Sequence, residues 1–170
     1  RPHTYMSVEP SGLARFERLP GLRPARPEDR ALVHDSGADR RAEELGDDPR
    51  VSDPAGYARR VEDECRGGYT YLWIEGGELR FRASLSALTA DAVQIAGVYV
   101  PPGQRGRGYA GRGLAELCER QFARTRAACL FVGDGNAPAI AVYRRLGFRA
   151  RAAWASAFFE RPPLDGPVST

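Results

Sequence analysis

Glycine and arginine alternate in residues 104–110 (QRGRGYA), directly after a break at the Pro-Pro-Gly of residues 101–103. Glycine lets main-chain N–H groups turn toward an anion without interference from a Cβ atom. A helical pattern starts here, and the unpaired N–H groups and positive dipole end of a helix start also attract anions. Arg105, Arg107 and Arg112 add positive charge suited to phosphate. The segment therefore predicts an anion-binding loop, and a diphosphate is the ligand that we expect.

A second set of chemically capable residues lies further along the chain, where a short helix is expected. Asn136 precedes this helical pattern. Tyr143 lies within the pattern, seven residues after Asn136. Seven residues are two helical turns, so both side chains fall on the same face. A phenol with an ordinary pKa of about 10 stays protonated at neutral pH and can donate a proton. From the residues alone, a packing role for the tyrosine remains the alternative.

The elements that must position these residues change character along the chain. Residues 1–20 show little pattern and are interpreted as an N-terminal arm, residues 21–161 as one domain, and residues 162–170 as a tail. Proline makes residues 22–25 a candidate edge strand. A helical region from Pro27 toward Leu45, with a break at Ser36-Gly37, precedes a second helix from Asp53 to about Cys65.

After Gly67-Gly68 the apolar period changes from helical to strand-like. Gly76-Gly77 is a strong hairpin signal between two alternating segments. Gly97, inside a third strand, marks a bulge or a close ligand approach. The predicted strands are 69–75, 79–88, 93–100, 129–132 and two segments within 148–160, and the predicted helices of this half are 108–125 and 138–146.

Composition limits the classes of function. Hydrophobic residues make up 42% of the 170, which suits one soluble globular domain, and no apolar segment approaches the ~18 residues of a membrane span. The net charge is +3 and all 25 basic residues are arginine, spread along the whole chain, which argues against a nucleic-acid partner. Three cysteines without C-x-x-C spacing favour a reducing cytoplasm, and only two histidines argue against a metal site.

Residues 106–111 also match G-x-G-x-x-G, with Asp134 placed as a ribose-binding acid. A dinucleotide motif should leave its strand directly into the first glycine, and here residues 101–105 intervene. The preceding strands are joined by hairpins, and too little chain follows Asp134 for a second mononucleotide half. A dinucleotide-binding domain is therefore the remote alternative.

The two motifs together resemble the GNAT superfamily of acyl-CoA N-acyltransferases. Residues 105–110 are similar to its R/Q-x-x-G-x-G/A loop, and residues 136–148 to its N-x-x-A-x-x-x-Y-x-x-x-G-F pattern. The resemblance implies an α/β (α+β) fold with a mixed, mostly antiparallel central sheet flanked by helices. Its fourth and fifth strands would splay apart to admit the pantetheine arm of the cofactor. The strand ending at Val100 matches the fourth strand, and residues 129–132 match the fifth.

The resemblance also implies roles for individual residues. The pyrophosphate would bind the loop amides, pantetheine the backbone of the fourth strand, and Asn136 the cofactor arm. Tyr143 would protonate the departing CoA thiolate. The implied cofactor-binding residues are Val98, Tyr99, Val100, Arg105, Gly106, Arg107, Gly108, Tyr109, Ala110 and Asn136.

The acceptor side is less defined by the sequence. Glu43 and Glu44 lie where the family forms its acceptor pocket and would hold a cationic amine, although an exposed helix face is an equal interpretation; His34 is a possible base or a surface residue. The strand 93–100 lacks the glutamate base that is common in the family, which leaves Glu43, Glu44, Tyr99, Gln94 or a water relay.

The resemblance implies an N-acetyltransferase that uses acetyl-CoA (CoA) as co-substrate, and the cysteine and histidine content predicts a cytoplasmic protein without a metal. Its acceptor would be a small-molecule or peptide amine. A non-catalytic acyl-CoA-binding or regulatory domain is the alternative. A homodimer, or a place within a longer chain, stays open.

Overall fold

The computed structural model describes residues 1–155, which form seven strands and five α-helices. The strands are β1 (Pro2–Val8), β2 (Arg23–Pro24), β3 (Thr70–Glu75), β4 (Glu78–Leu88), β5 (Ala92–Tyr99), β6 (Ala127–Gly133) and β7 (Arg149–Ala155). The helices are α1 (Arg30–Leu45), α2 (Pro49–Ser52), α3 (Pro54–Gly67), α4 (Tyr109–Gln121) and α5 (Ala137–Arg145).

All seven strands belong to one sheet, in the order β2-β3-β4-β5-β6-β1-β7. Every neighbouring pair is antiparallel except β5 and β6, which are parallel because α4 forms the crossover between them. The predicted mixed and mostly antiparallel sheet flanked by helices is therefore confirmed. The edge position of the short β2 is also as predicted from its proline.

The parallel pair β5 and β6 separates along its length. Only three residue pairs connect the strands, and the last of them joins Gln94 to Cys129. Beyond this pair β5 continues to Tyr99 and β6 to Gly133 without pairing with each other. The predicted splay of these strands is confirmed, and it leaves one edge of β5 without a strand partner.

A bulge in β5 lies at the start of this open edge. Tyr99 pairs with Arg82 and Ala96 with Ser84, so β5 has one more residue than β4 between these pairs. Gly97 supplies this irregularity with a φ of +60°, a conformation that L side chains rarely adopt. The predicted bulge at Gly97 is present, and it redirects the backbone at the edge of the splay.

The structure corrects the interpretation of residues 1–20 as an arm. Pro2–Val8 is strand β1, which lies inside the sheet between β6 and β7. Met6 and Val8 are almost fully buried. The alternating segment is short and is followed by prolines and glycines, so its strand pattern was not recognised. Its two inward side chains are enough to determine which face of the strand packs on the core.

The segment after β1 is held to α4 by a buried carboxylate. Glu116 is 1% exposed and accepts hydrogen bonds from Arg18 Nε (2.8 Å), the Leu19 amide (2.9 Å) and Arg120 Nε (2.7 Å). Arg120 also donates to the Leu22 carbonyl at 2.6 Å. These bonds lower the pKa of Glu116 to about 2, with the Arg18 bond as the largest cause.

The predicted break at Ser36-Gly37 is wrong, because α1 continues through it. Gly37 faces the core, where an added Cβ atom would lie 2.5 Å from Tyr57 Oη and 2.8 Å from an Arg82 nitrogen. The glycine is therefore required by packing and not by a turn. The structure also differs in one element and one boundary: the short helix α2 was not predicted, and α4 ends at Gln121 instead of residue 125.

The other glycines that were predicted to form turns or to end helices do so. Gly76 and Gly77 have φ values of +60° and +78° in the β3–β4 hairpin, and Gly68 (φ +65°) ends α3. Cys118 and Cys129 are buried, as expected for small core residues. β7 occupies part of the predicted 148–160 strands; residues 156–161 and the tail 162–170 lie outside the described residues.

Candidate active site

A cleft of about 1350 Å³ opens where β5 and β6 separate. Its walls are the two splayed strands, the loop before α4, the helix α5, the last turns of α1 and the first residues of β1. A volume above the range of about 300–1,000 Å³ that is usual for small-molecule pockets can hold a long cofactor together with a second substrate.

The glycine-rich loop presents a row of free amide groups to this cleft. Gly106 and Gly108 have φ values of +77° and +78°, and no atom lies within 4 Å of a Cβ atom built on either. Among the described residues, none of the six amides from 106 to 111 donates to an acceptor, and the next amide, that of Arg112, bonds the Gly108 carbonyl at 3.1 Å. Such a run of unpaired N–H groups at a helix N-terminus is suited to a pyrophosphate.

The arginines of the loop have different positions. Arg105 donates to the Val100 carbonyl (3.0 Å) and to Glu43 Oε2 (2.7 Å), and its guanidinium lies over the Tyr99 ring. Arg112 lines the cleft and pairs with Glu17 at 3.3 Å. Arg107 does not line the cleft, and its side chain reaches back to Gln104. Its role in binding the cofactor stays a prediction.

The open edge of β5 runs from the bulge to this loop. Val98, Tyr99 and Val100 all line the cleft. Because β6 has diverged here, their backbone groups can pair with an extended ligand as an added strand would. Tyr99 is 6% exposed, and burial raises the pKa of its hydroxyl. Tyr109, at the start of α4, packs edge-on against Trp73 and also lines the cleft.

On the opposite wall, α5 carries the second predicted set. The Asn136 side chain accepts from the Ala139 amide at 3.2 Å and so caps α5. This bond uses the carbonyl oxygen of the side chain and leaves the amide NH₂ group for a ligand. Tyr143 is 7% exposed, packs against Phe148 and makes no hydrogen bond through its hydroxyl within residues 1–155. Burial raises the pKa of Tyr143 to about 12, and the charge of Glu44 adds to the shift.

The structure separates the predicted acceptor residues. Glu43 and Glu44 both line the cleft, but Glu43 is bonded to Arg105 and Glu44 is paired with Arg40. His34 is bonded to Asp35 and does not line the cleft. The two glutamates therefore face different ends of the site: Glu43 the anion-binding loop, and Glu44 the neighbourhood of Tyr143.

Two cleft residues were missed by the sequence interpretation. Arg40 lies against the bulge, with its Nε atom 3.5 Å from the Cβ position of Gly97. His3 lines the cleft beside Gly133, and its imidazole makes no polar contact in the described part of the chain. Arg40 was hidden among many arginines, and no pattern distinguished His3 because its strand had been interpreted as an arm.

Comparison with protein families identifies residues 34–148 as matching the model of the acetyltransferase (GNAT) family. This match covers more than half of the chain and includes both motifs. The chain belongs to the GNAT acetyltransferase family. The splayed sheet and the loop before α4 are accordingly the framework of an acyltransferase, and the sheet order does not fit the doubly wound parallel sheet of a dinucleotide-binding domain.

Solved structures share this GNAT fold. A putative GNAT acetyltransferase from Novosphingobium aromaticivorans is 24% identical with a TM-score of 0.65, covering 89% of this chain and 60% of its own. An acetyltransferase from Colwellia psychrerythraea has 14% identity and a TM-score of 0.70, covering 89% and 53%. A predicted acetyltransferase with acetyl-CoA from Clostridium acetobutylicum has 19% identity and a TM-score of 0.61, covering 81% and 94%.

The chain thus spans 60% and 53% of the first two of these structures. No curated protein matches it. Within residues 1–155 no helix has the length and apolar character to cross a membrane, and no group of three His, Cys, Asp or Glu residues is placed to hold a metal ion.

Proposed function

We propose that this GNAT domain is an N-acetyltransferase that moves the acetyl group of acetyl-CoA to an amine. The observation that carries the proposal is the convergence of three features on one cleft: the free loop amides, the open β5 edge and the unbonded hydroxyl of Tyr143. The first two fit the pyrophosphate and pantetheine of CoA, and the third fits its leaving thiolate. A diphosphate loop alone would not require the tyrosine.

The reaction needs one bond made, one bond broken and two proton transfers. The neutral amine nitrogen attacks the thioester carbonyl carbon, and main-chain donors at the β5 edge stabilise the negative charge that develops on the carbonyl oxygen. The C–S bond then breaks and the sulfur takes the proton of the Tyr143 hydroxyl. With a pKa of about 12, this phenol is protonated throughout the neutral range.

The proton of the attacking amine needs an acceptor as well. No carboxylate lies on β5, and the acids of the cleft are engaged by arginines or, for Asp134, by Thr4. The imidazole of His3 has no polar partner among residues 1–155. Register places it beside Gly133, on the same sheet face as Tyr5 and Phe131. We assign His3 as the base that receives this proton, directly or through water.

The alternative of a non-catalytic acyl-CoA-binding domain uses the same loop. It differs in needing neither Tyr143 nor His3. Release of free thiol from acetyl-CoA in the presence of an amine separates the two, because a binding domain produces none above the uncatalysed rate.

Calorimetry with CoA and with NAD tests the ligand directly. We expect saturable CoA binding that Gly108→Val abolishes, since a β-branched residue is strained at a φ of +78° and its side chain occupies the anion site. Gly103→Val is the matched control, because Gly103 is also uncrowded but has no left-handed φ. NAD binding without CoA binding contradicts the proposal.

A further inference from the structure

Among residues 1–155, the acids that line the cleft offer no free carboxylate to a simple cationic amine. Of the lining acids, Glu17 is paired with Arg112, Glu43 with Arg105 and Asp134 accepts from Thr4. The remaining acid, Glu44, is paired with Arg40 one helical turn before it. Any acceptor therefore meets an Arg–Glu ion pair rather than an isolated negative charge.

Arg40 has hydrogen-bonding capacity that no residue in the described part of the chain uses. Its Nη1 atom donates to Glu44, and its Nε atom is buried without a partner within the described residues. Its Nη2 atom donates to no described acceptor and is not among the buried unpaired atoms. The guanidinium lies against Gly97, at the bulge where the open edge of β5 begins. A donor with positive charge thus faces the point at which the acceptor must approach.

Glu44 supplies the complementary charge on the same wall. Its side chain is about half exposed, and its carboxylate lies close enough to Tyr143 to raise the pKa of the phenol. Glu44 and Tyr143 line the same cleft, so a positive group held by Glu44 shares that cleft with the proposed proton donor, while a negative group held by Arg40 is near the bulge.

We propose that the Arg40–Glu44 pair binds an acceptor that is itself a zwitterion, namely a free α-amino acid. Arg40 takes the α-carboxylate, and Glu44 holds the α-ammonium group until it loses its proton and attacks. This inference rests on the proposed acetyltransferase function and names the substrate class of that site. A charge-assisted hydrogen bond to a carboxylate is stronger than a neutral one, so the pair discriminates amino acids from amines that lack the carboxylate.

The experiment measures thiol release from acetyl-CoA with each of the common amino acids, with its α-amide and with its decarboxylated amine. We expect at least one amino acid to be acetylated with a kcat/KM about 10- to 100-fold above those of its amide and amine. Arg40→Gln should remove this preference by raising the KM for the acid, and Arg40→Lys should restore part of it. Glu44→Gln should raise the KM for the acid and the amide alike.

Arg41→Gln is the matched control. Arg41 is the next residue on α1, is ion-paired with Asp47 at 2.6 Å and does not line the cleft, so its loss should leave the preference unchanged. Amides or simple amines used as well as amino acids contradict the inference, and so does a uniform loss of kcat in Arg40→Gln for all acceptors, which indicates a role in polarising the thioester.

Calorimetry with CoA on the same preparations distinguishes failure of the amino-acid inference from failure of the proposed acetyltransferase function. If CoA binds but no amino acid is acetylated, the amino-acid inference is wrong and the acyl-CoA site stands. If CoA does not bind, the proposed function is wrong and the inference falls with it.

Discussion

Tyr143→Phe is the substitution that tests the proposed mechanism with the least disturbance of the fold. It removes one oxygen atom and keeps the ring that packs against Phe148 with a centroid distance of 6.0 Å. Because the hydroxyl has no hydrogen-bond partner within residues 1–155, its removal leaves no buried group unpaired. We therefore expect the free energy of unfolding to remain unchanged.

The expected effect on activity follows from the burial of the phenol. Its pKa of about 12 means that about 1% of the phenol is ionised at pH 10, against about half for a tyrosine with the ordinary pKa of about 10. The group acts as an acid while protonated, so this activity is lost only as the pH rises through 12. Loss of a positioned proton donor typically lowers turnover by ~10²-fold or more.

The assay is rapid-mixing thiol release at saturating acetyl-CoA and acceptor, from pH 7 to pH 10. Wild type should show no fall in kcat near pH 10, and Tyr143→Phe should be slower throughout with an unchanged CoA affinity. Tyr69→Phe, at a tyrosine that is 59% exposed, is the control for generic loss of a phenol. Full activity of Tyr143→Phe would falsify the assignment and leave proton delivery to water.

Two further substitutions test the fold and the base. Glu116→Gln should lower the free energy of unfolding in urea at pH 7 by on the order of 3 kcal/mol, because folding lowers the pKa of the Glu116 carboxyl from 4.5 to about 2. This contribution to stability is present above about pH 4.5 and is lost as the pH falls toward 2. Equal stabilities of the wild type and the variant at pH 7 contradict the prediction. His3→Ala should lower kcat by ~10-fold or more, with partial rescue by added imidazole; rescue without any initial loss, or neither, removes His3 from the mechanism.

The sequence was sufficient to predict local structure wherever one residue type has one dominant conformational effect. The paired glycines at 76 and 77 and the bulge at Gly97 act where they were predicted. The loop and the Asn–Tyr helix could be predicted because each combines a backbone requirement with a side-chain requirement at fixed spacing.

The errors come from tertiary packing, which overrides local pattern. Gly37 was interpreted as a helix break, but it is a close contact between α1 and the Tyr57 and Arg82 side chains. β1 was missed because a strand that pairs on both sides, here with β6 and β7, is fixed by its neighbours and needs few apolar residues of its own. The pairing of Arg40 with Glu44 beside Gly97 depends on how α1 crosses the sheet, which no local spacing encodes.

The contact between Glu43 and Arg105 gives a last prediction, which separates two glutamates that are adjacent in the sequence. Glu43 Oε2 accepts from Arg105 Nη2 at 2.7 Å, at the rim of the loop that we propose for the pyrophosphate. Both side chains are about half exposed, so the carboxylate competes with phosphate for this arginine only through a screened interaction. Glu43→Gln should therefore tighten CoA binding by ~2- to 5-fold at low salt, and by less at high salt.

Calorimetry at two salt concentrations measures this change, with Glu44→Gln as the control that should leave CoA affinity unaltered because Glu44 pairs with Arg40 and not with the loop. If Glu43→Gln weakens CoA binding instead, Glu43 must act by holding Arg105 in position for the phosphate. If both substitutions alter CoA affinity equally, the division of the cleft into a phosphate end at Glu43 and an acceptor end at Glu44 is wrong. The two glutamates would then act through the general potential of α1 rather than through their individual partners.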